Sequence, residues 1–302
     1  MKRPRIGIFK FTSCDGCQLS VLNLEEELLD LIGLFHVAYF REATDRPLRG
    51  HLDIALVEGS VSTEGQKSHV IEIRERTRYL VTIGACATSG GLQALRNWAS
   101  VEDYKKSVYP SPGMIETLPS STSISEHVYV DDELWGCPVS SDELSETLAS
   151  FLLDRRPGMP AYSLCMECKS RGIPCLLVAK SEPCLGPVTR AGCGVLCPAL
   201  ERPCYGCFGP KEGANIDSLL NVFRKTGLPE DGKKRIDVRT LLRAETPVAR
   251  PLKRWAEDTA SRPRNGSKAW LRLRHKQARD SPALAFHAKA VCRHAGSPVE
   301  EK

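Results

Sequence analysis

The 302-residue sequence has no run of 18 or more apolar residues, so we expect no membrane span. Its N-terminus has basic residues but lacks an apolar stretch long enough for a secretory signal. We therefore expect a cytoplasmic protein, in a compartment where stable disulfides are uncommon. Thirteen cysteines in such a chain favour metal binding over disulfide formation.

Histidine is missing between residues 128 and 274, so a metal site there has only thiolates as soft ligands. Eight cysteines, the C-terminal set, lie within residues 165–207: Cys165, Cys168, Cys175, Cys184, Cys193, Cys197, Cys204 and Cys207. Apolar residues are few in this segment, and glycine and proline interrupt it throughout, which argues against a conventional core. Pro198 follows Cys197, as a proline follows the last cysteine of a bacterial ferredoxin motif. Two iron–sulfur clusters fit this set, and paired zinc ribbons remain an alternative.

Most of the chain has nearly balanced charge, and the excess of basic residues is confined to its end. Residues 250–302 hold 13 Lys/Arg against 5 Asp/Glu, whereas the remaining 249 residues hold 29 against 32. The basic end shows no helical stripe of charge and no interleaved aromatic residues. We therefore interpret it as a solvated tail and expect no nucleic-acid partner.

Short apolar segments alternate with helical patterns in the first half of the chain. The predicted strands are residues 5–9, 36–40, 52–57, 79–83 and 127–130. Helical spacing follows the first strand from Gln18, another helix ends at Arg76, and Ser141 is predicted to cap a third. Residues 97–126 are interpreted as a long surface connection. This alternation predicts an α/β fold with a parallel sheet covered on both faces.

Four further cysteines, the strand-end set, follow predicted strands: Cys14 and Cys17 the first, Cys86 the fourth and Cys137 the last. Loops after parallel strands share one edge of a sheet, so these cysteines should converge. A 4Fe–4S cluster fits four such thiolates. Separate buried cysteines with a coincidental Cys-x-x-Cys, or a thioredoxin-like redox pair, are the alternatives. Twelve cysteines would hold three clusters and leave Cys292 over.

Several separated motifs resemble the small subunit of nickel–iron hydrogenases: Thr12-Ser13-Cys14-Asp15-Gly16-Cys17-Gln18, Glu58-Gly59-Ser60-Val61-Ser62-Thr63, Gly84-Ala85-Cys86-Ala87 and Gly136-Cys137-Pro138. A second block resembles the cytoplasmic, cofactor-coupled branch, namely the bidirectional NADP-linked sulfhydrogenase type: Cys184-Leu185-Gly186-Pro187 through Cys204-Tyr205-Gly206-Cys207-Phe208-Gly209-Pro210. The resemblance covers about residues 5–215, and it extends to the NADH-ubiquinone oxidoreductase 20 kDa subunit-like family.

The resemblance implies a flavodoxin-like parallel sheet with a C-terminal ferredoxin-like iron–sulfur domain. The expected domains are residues 1–157 with the proximal cluster, residues 158–215 with two clusters, and a C-terminal extension at residues 216–302. That extension is expected to be largely disordered after residue 245.

The resemblance also implies a function, which is electron transfer through three 4Fe–4S clusters. The nickel–iron large subunit would carry the hydrogen-splitting centre, so this chain would have no catalytic residue of its own. The strand-end set would hold the proximal cluster and the C-terminal set two more. A flavin/NAD(P)-binding partner and iron–sulfur subunits would take the electrons. Glu58 would lie beside the proximal cluster, either in a proton path or as a plain hydrogen-bonding carboxylate.

Two other interpretations stay open, and a third is disfavoured by the cysteine spacing. A hydrogenase subunit coupled to heterodisulfide reductase or to a deazaflavin coenzyme would share most of these motifs. The quinone-reducing subunit of respiratory complex I typically has adjacent cysteines, whereas Asp15 and Gly16 separate Cys14 from Cys17 here. A zinc-binding interaction module, from another functional class, would be colourless and would hold one metal ion per four thiolates.

Overall fold

The computed structural model describes residues 3–24, 33–45 and 47–225. Five strands form one parallel sheet: β1 Arg5–Lys10, β2 His36–Phe40, β3 Leu52–Glu58, β4 Thr77–Ile83 and β5 Asp132–Leu134. Their spatial order is β2-β1-β3-β4-β5. This is the order of flavodoxin-like doubly wound sheets, so the predicted fold class is confirmed.

Helices connect and cover the strands. Those of the sheet domain are α1 Gly16–Leu22, α2 Glu64–Arg76, α3 Gly84–Ser89, α4 Val101–Val108 and α5 Ser141–Leu153. Short 3₁₀ segments lie at Leu92–Trp98, Pro112–Met114 and Ile124–Glu126. The later helices are α6 Leu164–Ser170, α7 Leu176–Ala179, α8 Leu196–Ala199 and α9 Ile216–Lys225. Within the described ranges, no helix is both long and apolar enough to cross a bilayer.

The strand β3 shows why the strands of this sheet are continuous apolar runs. Successive side chains point to opposite faces of a strand, and here both faces are covered. Ile54 packs in the core beneath α1 and α5, whereas Ala55 packs in the core beneath α2. Both residues are fully buried. The sheet is therefore packed on both faces, and its carboxyl-terminal edge carries the strand-end set.

Three interpretations of the sequence are corrected by the structure. The last strand is β5 at Asp132–Leu134, not residues 127–130, because pairing with β4 starts where the Asp131 N–H donates to the Leu80 carbonyl at 2.9 Å. β5 lies at the edge of the sheet, where charged residues are tolerated. Because two of its three residues are acidic, it lacks the apolar run by which a strand is predicted. The supposed connection at 97–126 contains α4, an exposed helix with no buried residue. Ser141, the expected N-cap of α5, is instead its first helical residue, and the N-cap is Ser140.

The expectation that the cysteine-rich segment lacks a core is wrong, because the segment closes a small one of its own with the help of α9. Buried residues from its loops and short helices pack together: Leu164, Leu185, Val188, Val195, Cys204, Leu219 and Phe223. The last two come from α9, one helical turn apart. Thus α9 packs on the cysteine-rich segment, although the sequence placed it in the extension from residue 216. The predicted disorder after residue 245, and Cys292, lie outside the described residues.

Candidate metal centres

The strand-end set lies at the carboxyl edge of the sheet. Cys14 follows β1, Cys17 is in the first turn of α1, Cys86 is in α3 after β4, and Cys137 follows β5. Each thiol electrostatically influences others of the set: Cys17 is affected by Cys86 and Cys137, and Cys86 by Cys137 and Cys14. The structure therefore brings these four side chains together across 123 positions of sequence, from 14 to 137. Their role as ligands stays a prediction.

Glycines let the backbone lie against these sulfur atoms. A β-carbon placed on Gly84 would lie 2.2 Å from the Cys17 Sγ, and one on Gly91 would lie 2.6 Å from the Cys86 Sγ. Both glycines have positive φ angles, +83° and +58°. The Ala85 N–H donates to the Gly136 carbonyl at 2.6 Å and so ties the Cys86 loop to the Cys137 loop. The thiols therefore lie in a cradle that only glycine leaves open.

Burial disfavours the charged form of these thiols. It raises the pKa of Cys17 above its ordinary value and that of Cys86 to about 11, and the neighbouring thiols add to both shifts. Four thiolates in such a place repel one another unless a cationic group lies among them. A bound metal supplies that charge and deprotonates its thiol ligands. The donor set and the cradle thus fit an iron–sulfur cluster.

Glu58, at the end of β3, lies beside the strand-end set. Its side chain is 1% exposed, and its Oε1 accepts the Cys17 backbone N–H at 3.1 Å. Among the described residues its Oε2 has no hydrogen-bond partner. Burial raises the pKa of Glu58, and the Cys17 and Gln18 groups beside it oppose that rise. The carboxylate therefore anchors the loop that carries Cys14 and Cys17.

The first half of the C-terminal set surrounds Gly186. A β-carbon on Gly186 would lie 3.4 Å from the Cys165 Sγ and 3.5 Å from the Cys184 Sγ. Cys165 is also influenced by Cys168 and Cys175, and burial together with these neighbours raises its pKa to about 11. These four cysteines form one neighbourhood of thiols.

The second half lies between that neighbourhood and the sheet. Burial raises the pKa of Cys207 to about 12, and the thiols that add to the shift are Cys137, Cys193 and Cys197. The backbone of Cys137 lies close enough to the Cys207 thiol to oppose that rise in pKa. Cys204, also buried, accepts the Gly206 N–H at 3.4 Å, and its own N–H donates to the Cys184 Sγ at 3.3 Å. Cys207 therefore joins the C-terminal set to the strand-end set.

All twelve cysteines of the described residues are free thiols. In the same part of the chain, no group of three His, Cys, Asp or Glu side chains is arranged to hold a single metal ion. Which cysteines share a metal group therefore stays a prediction.

Sequence reasoning missed one buried contact that joins the cysteine-rich segment to helix α5. Arg190 donates from Nη1 to Glu143 Oε1 at 2.7 Å and from Nη2 to Glu143 Oε2 at 2.8 Å. The side chains are 13% and 7% exposed. In the sequence Glu143 was only an acidic residue in the first turns of α5, and its partner lies 47 positions away. No local pattern links two residues so far apart.

Comparison with known proteins gives a consistent result. Residues 14–151 match the family described as NADH ubiquinone oxidoreductase, 20 kDa subunit. Sulfhydrogenase 2 subunit delta of Pyrococcus furiosus is 35% identical over 227 residues, which cover 75% of this chain and 94% of that protein. A subunit of the F420-non-reducing hydrogenase vhu of Methanococcus voltae is 31% identical, with 74% of this chain and 89% of that protein covered. A chain in the structure of an NAD+-reducing [NiFe]-hydrogenase superposes with a TM-score of 0.50 and 31% identity, covering 53% of this chain and 96% of that one.

Proposed function

Because this chain belongs to the NADH ubiquinone oxidoreductase 20 kDa subunit family and is related to hydrogenase subunits, we propose that it is the electron-transfer small subunit of a cytoplasmic nickel–iron hydrogenase. The observation that carries the proposal is the convergence of Cys14, Cys17, Cys86 and Cys137 in a glycine-lined cradle at the sheet edge. A bound 4Fe–4S cluster accepts and passes on single electrons.

The C-terminal set would hold two further clusters. Its first neighbourhood offers Cys165, Cys168, Cys175 and Cys184, and its second offers Cys193, Cys197, Cys204 and Cys207. The contact between Cys207 and Cys137 supports an order in which the second neighbourhood lies between the strand-end set and the first. Cysteine-only ligation suits low reduction potentials, since histidine ligands raise them in known clusters.

The proposed partners lie at opposite ends of this series. A large subunit with the nickel–iron centre would dock at the sheet edge, where Cys14 and Cys137 are exposed. A flavin/NAD(P)-binding partner, or an iron–sulfur subunit, would receive electrons near the exposed Cys175. The relative whose structure is that of an NAD+-reducing [NiFe]-hydrogenase supports a nicotinamide acceptor. A relative named coenzyme F420 hydrogenase subunit gamma, 28% identical over 49% of this chain, supports a second candidate acceptor, a deazaflavin coenzyme. Heterodisulfide reductase is a further alternative, since such a hydrogenase would share most of the same motifs.

The experiment is metal analysis of the complex purified without oxygen. Three 4Fe–4S clusters require about twelve iron and about twelve sulfide per copy of this chain, beyond those of its partners. The isolated chain, reconstituted with iron and sulfide, should also be brown. Stoichiometric zinc with no visible absorbance would overturn the proposal. About eight iron atoms per chain would mean that the chain holds two clusters rather than three. Comparing hydrogen-driven reduction of NAD(P)+, of a heterodisulfide and of a deazaflavin separates these three candidate acceptors.

A further inference from the structure

The two domains meet where the strand-end and C-terminal sets approach each other. Cys137 comes two residues after Trp135, and Cys207 comes two residues before Gly209. These flanking residues pack together, since a β-carbon on Gly209 would lie 2.5 Å from the Trp135 ring. Gly209 has a φ of +73°, so both its conformation and its position favour glycine. The spacing of Cys137 and Cys207 therefore depends on this contact.

Arg190 holds the Cys207 loop on one side. Its backbone N–H donates to the Gly209 carbonyl at 2.9 Å, and its guanidinium carbon lies 5.8 Å from the centre of the Phe208 ring. Both contacts involve the two residues that directly follow Cys207. Arg190 and this loop therefore move together.

Glu143 holds Arg190 on the other side. It belongs to α5, which packs directly on the sheet, and it receives both arms of the Arg190 guanidinium. A β-carbon on Gly192 would lie 2.3 Å from the Glu143 Oε1, so the carboxylate fits only because residue 192 is glycine. Paired, planar hydrogen bonds fix direction as well as distance. The pair thus connects the Cys207 loop to the rigid sheet domain.

We propose that Glu143 and Arg190 are positioning residues, which hold the Cys207 loop against Cys137 and so set the separation between the metal groups of the two cysteine sets. The inference rests on the proposed function, because it concerns the groups that those cysteines would bind. Electron transfer between redox groups falls steeply with their separation. A small displacement of the loop would therefore slow transfer without removing a ligand.

The test uses the purified complex with three variants of this chain. Glu143→Gln removes the charge but keeps the size of the side chain, and Arg190→Lys keeps the charge but loses the paired hydrogen bonds. The matched control is Glu146→Gln, one turn further along α5. Glu146 binds Arg155 with the same paired geometry, at 2.5 Å and 2.8 Å, near the end of that helix. Iron content and the EPR spectrum of the reduced complex are measured for each.

Neighbouring reduced clusters broaden and split each other's EPR signals, and the interaction weakens steeply with distance. We expect both Glu143→Gln and Arg190→Lys to lose that splitting while iron content stays at the wild-type value. Glu146→Gln should keep it. Wild-type splitting in both test variants at full iron content would overturn the positioning role, as would equal loss in the control. If Glu143→Gln loses iron, the positioning role is judged from Arg190→Lys alone, again by whether the EPR splitting is lost at wild-type iron content. A wild-type complex without this chain's iron would refute the proposed function itself, and with it the positioning role.

Discussion

Gly84→Ala is expected to remove the proximal metal group while leaving the fold intact. The new methyl group would lie 2.2 Å from the Cys17 Sγ and 3.5 Å from the Gly136 carbonyl oxygen. Cys17 is only 7% exposed, so its sulfur has little room to turn away without leaving the site. The substitution therefore acts first on a proposed ligand.

The magnitude has two parts. A φ of +83° costs a residue with a β-carbon about 1–2 kcal/mol. Overpacking a buried site adds about 1–3 kcal/mol. The sum, about 2–5 kcal/mol, is below the total stability of about 5–15 kcal/mol that is usual for a native protein. We therefore expect Gly84→Ala to fold, with a lower denaturation midpoint and with one of the proposed clusters missing.

Gly50→Ala is the matched control. Gly50 also has a positive φ, +72°, but a β-carbon there would meet no atom within 4 Å. It should show the backbone cost alone, about 1–2 kcal/mol, and full iron content. Anaerobic chemical denaturation and iron analysis measure the two effects. If Gly84→Ala bound wild-type iron and lost no more stability than Gly50→Ala, the reasoning about the cradle would be wrong.

Three further predictions concern single side chains. Glu146→Gln should cost about 1–2 kcal/mol at neutral pH, because it breaks the ion pair with the half-exposed Arg155. Burial alone would raise the pKa of Glu146, but its hydrogen bonds, foremost that from Arg155, lower it. This stabilisation is therefore complete above the unfolded pKa of about 4.3, and it disappears as pH falls through the lower folded pKa. The difference in unfolding free energy between variant and wild type, measured with denaturant, should therefore shrink in acid. A difference that stayed constant with pH would contradict this. Cys17→Ser should abolish hydrogen-driven reduction of both nicotinamide and dyes. Cys207→Ser should abolish nicotinamide reduction but spare hydrogen–deuterium exchange at the nickel site. Loss of that exchange in an intact Cys207→Ser complex would refute the proposed order of electron flow, from the strand-end set to the C-terminal set. Glu58→Gln keeps an acceptor for the Cys17 N–H, so iron should be retained, and a drop in turnover at full iron content would assign Glu58 to a proton path rather than to loop anchoring alone.

The sheet could be predicted from sequence because its signals are local. Strands β1 to β4 are short apolar runs, and helix α5 has an apolar face at helical spacing; both patterns come from burial of neighbouring residues. β5 was misplaced because an edge strand of three residues, two of them acidic, has no such pattern. Helix α4 was missed because it buries no side chain.

The gathering of the strand-end set also followed from sequence. Once four cysteines are placed after parallel strands, the topology itself brings them to one edge. The sequence indicated that glycines near these cysteines allow the backbone to approach sulfur closely. It did not indicate that Gly84 faces the Cys17 sulfur and Gly91 the Cys86 sulfur.

What only the tertiary structure decided is how the cysteine-rich segment packs against the sheet that carries the strand-end set. The Glu143–Arg190 pair, the Gly209 contact with Trp135 and the approach of Cys207 to Cys137 join residues 47 to 74 positions apart. Such contacts depend on the docking of two folded units, and docking leaves no period in the sequence of either one. By itself the sequence determined strands β1 to β4, the supply of thiols and their division into two sets. The distances between those sets were decided by packing.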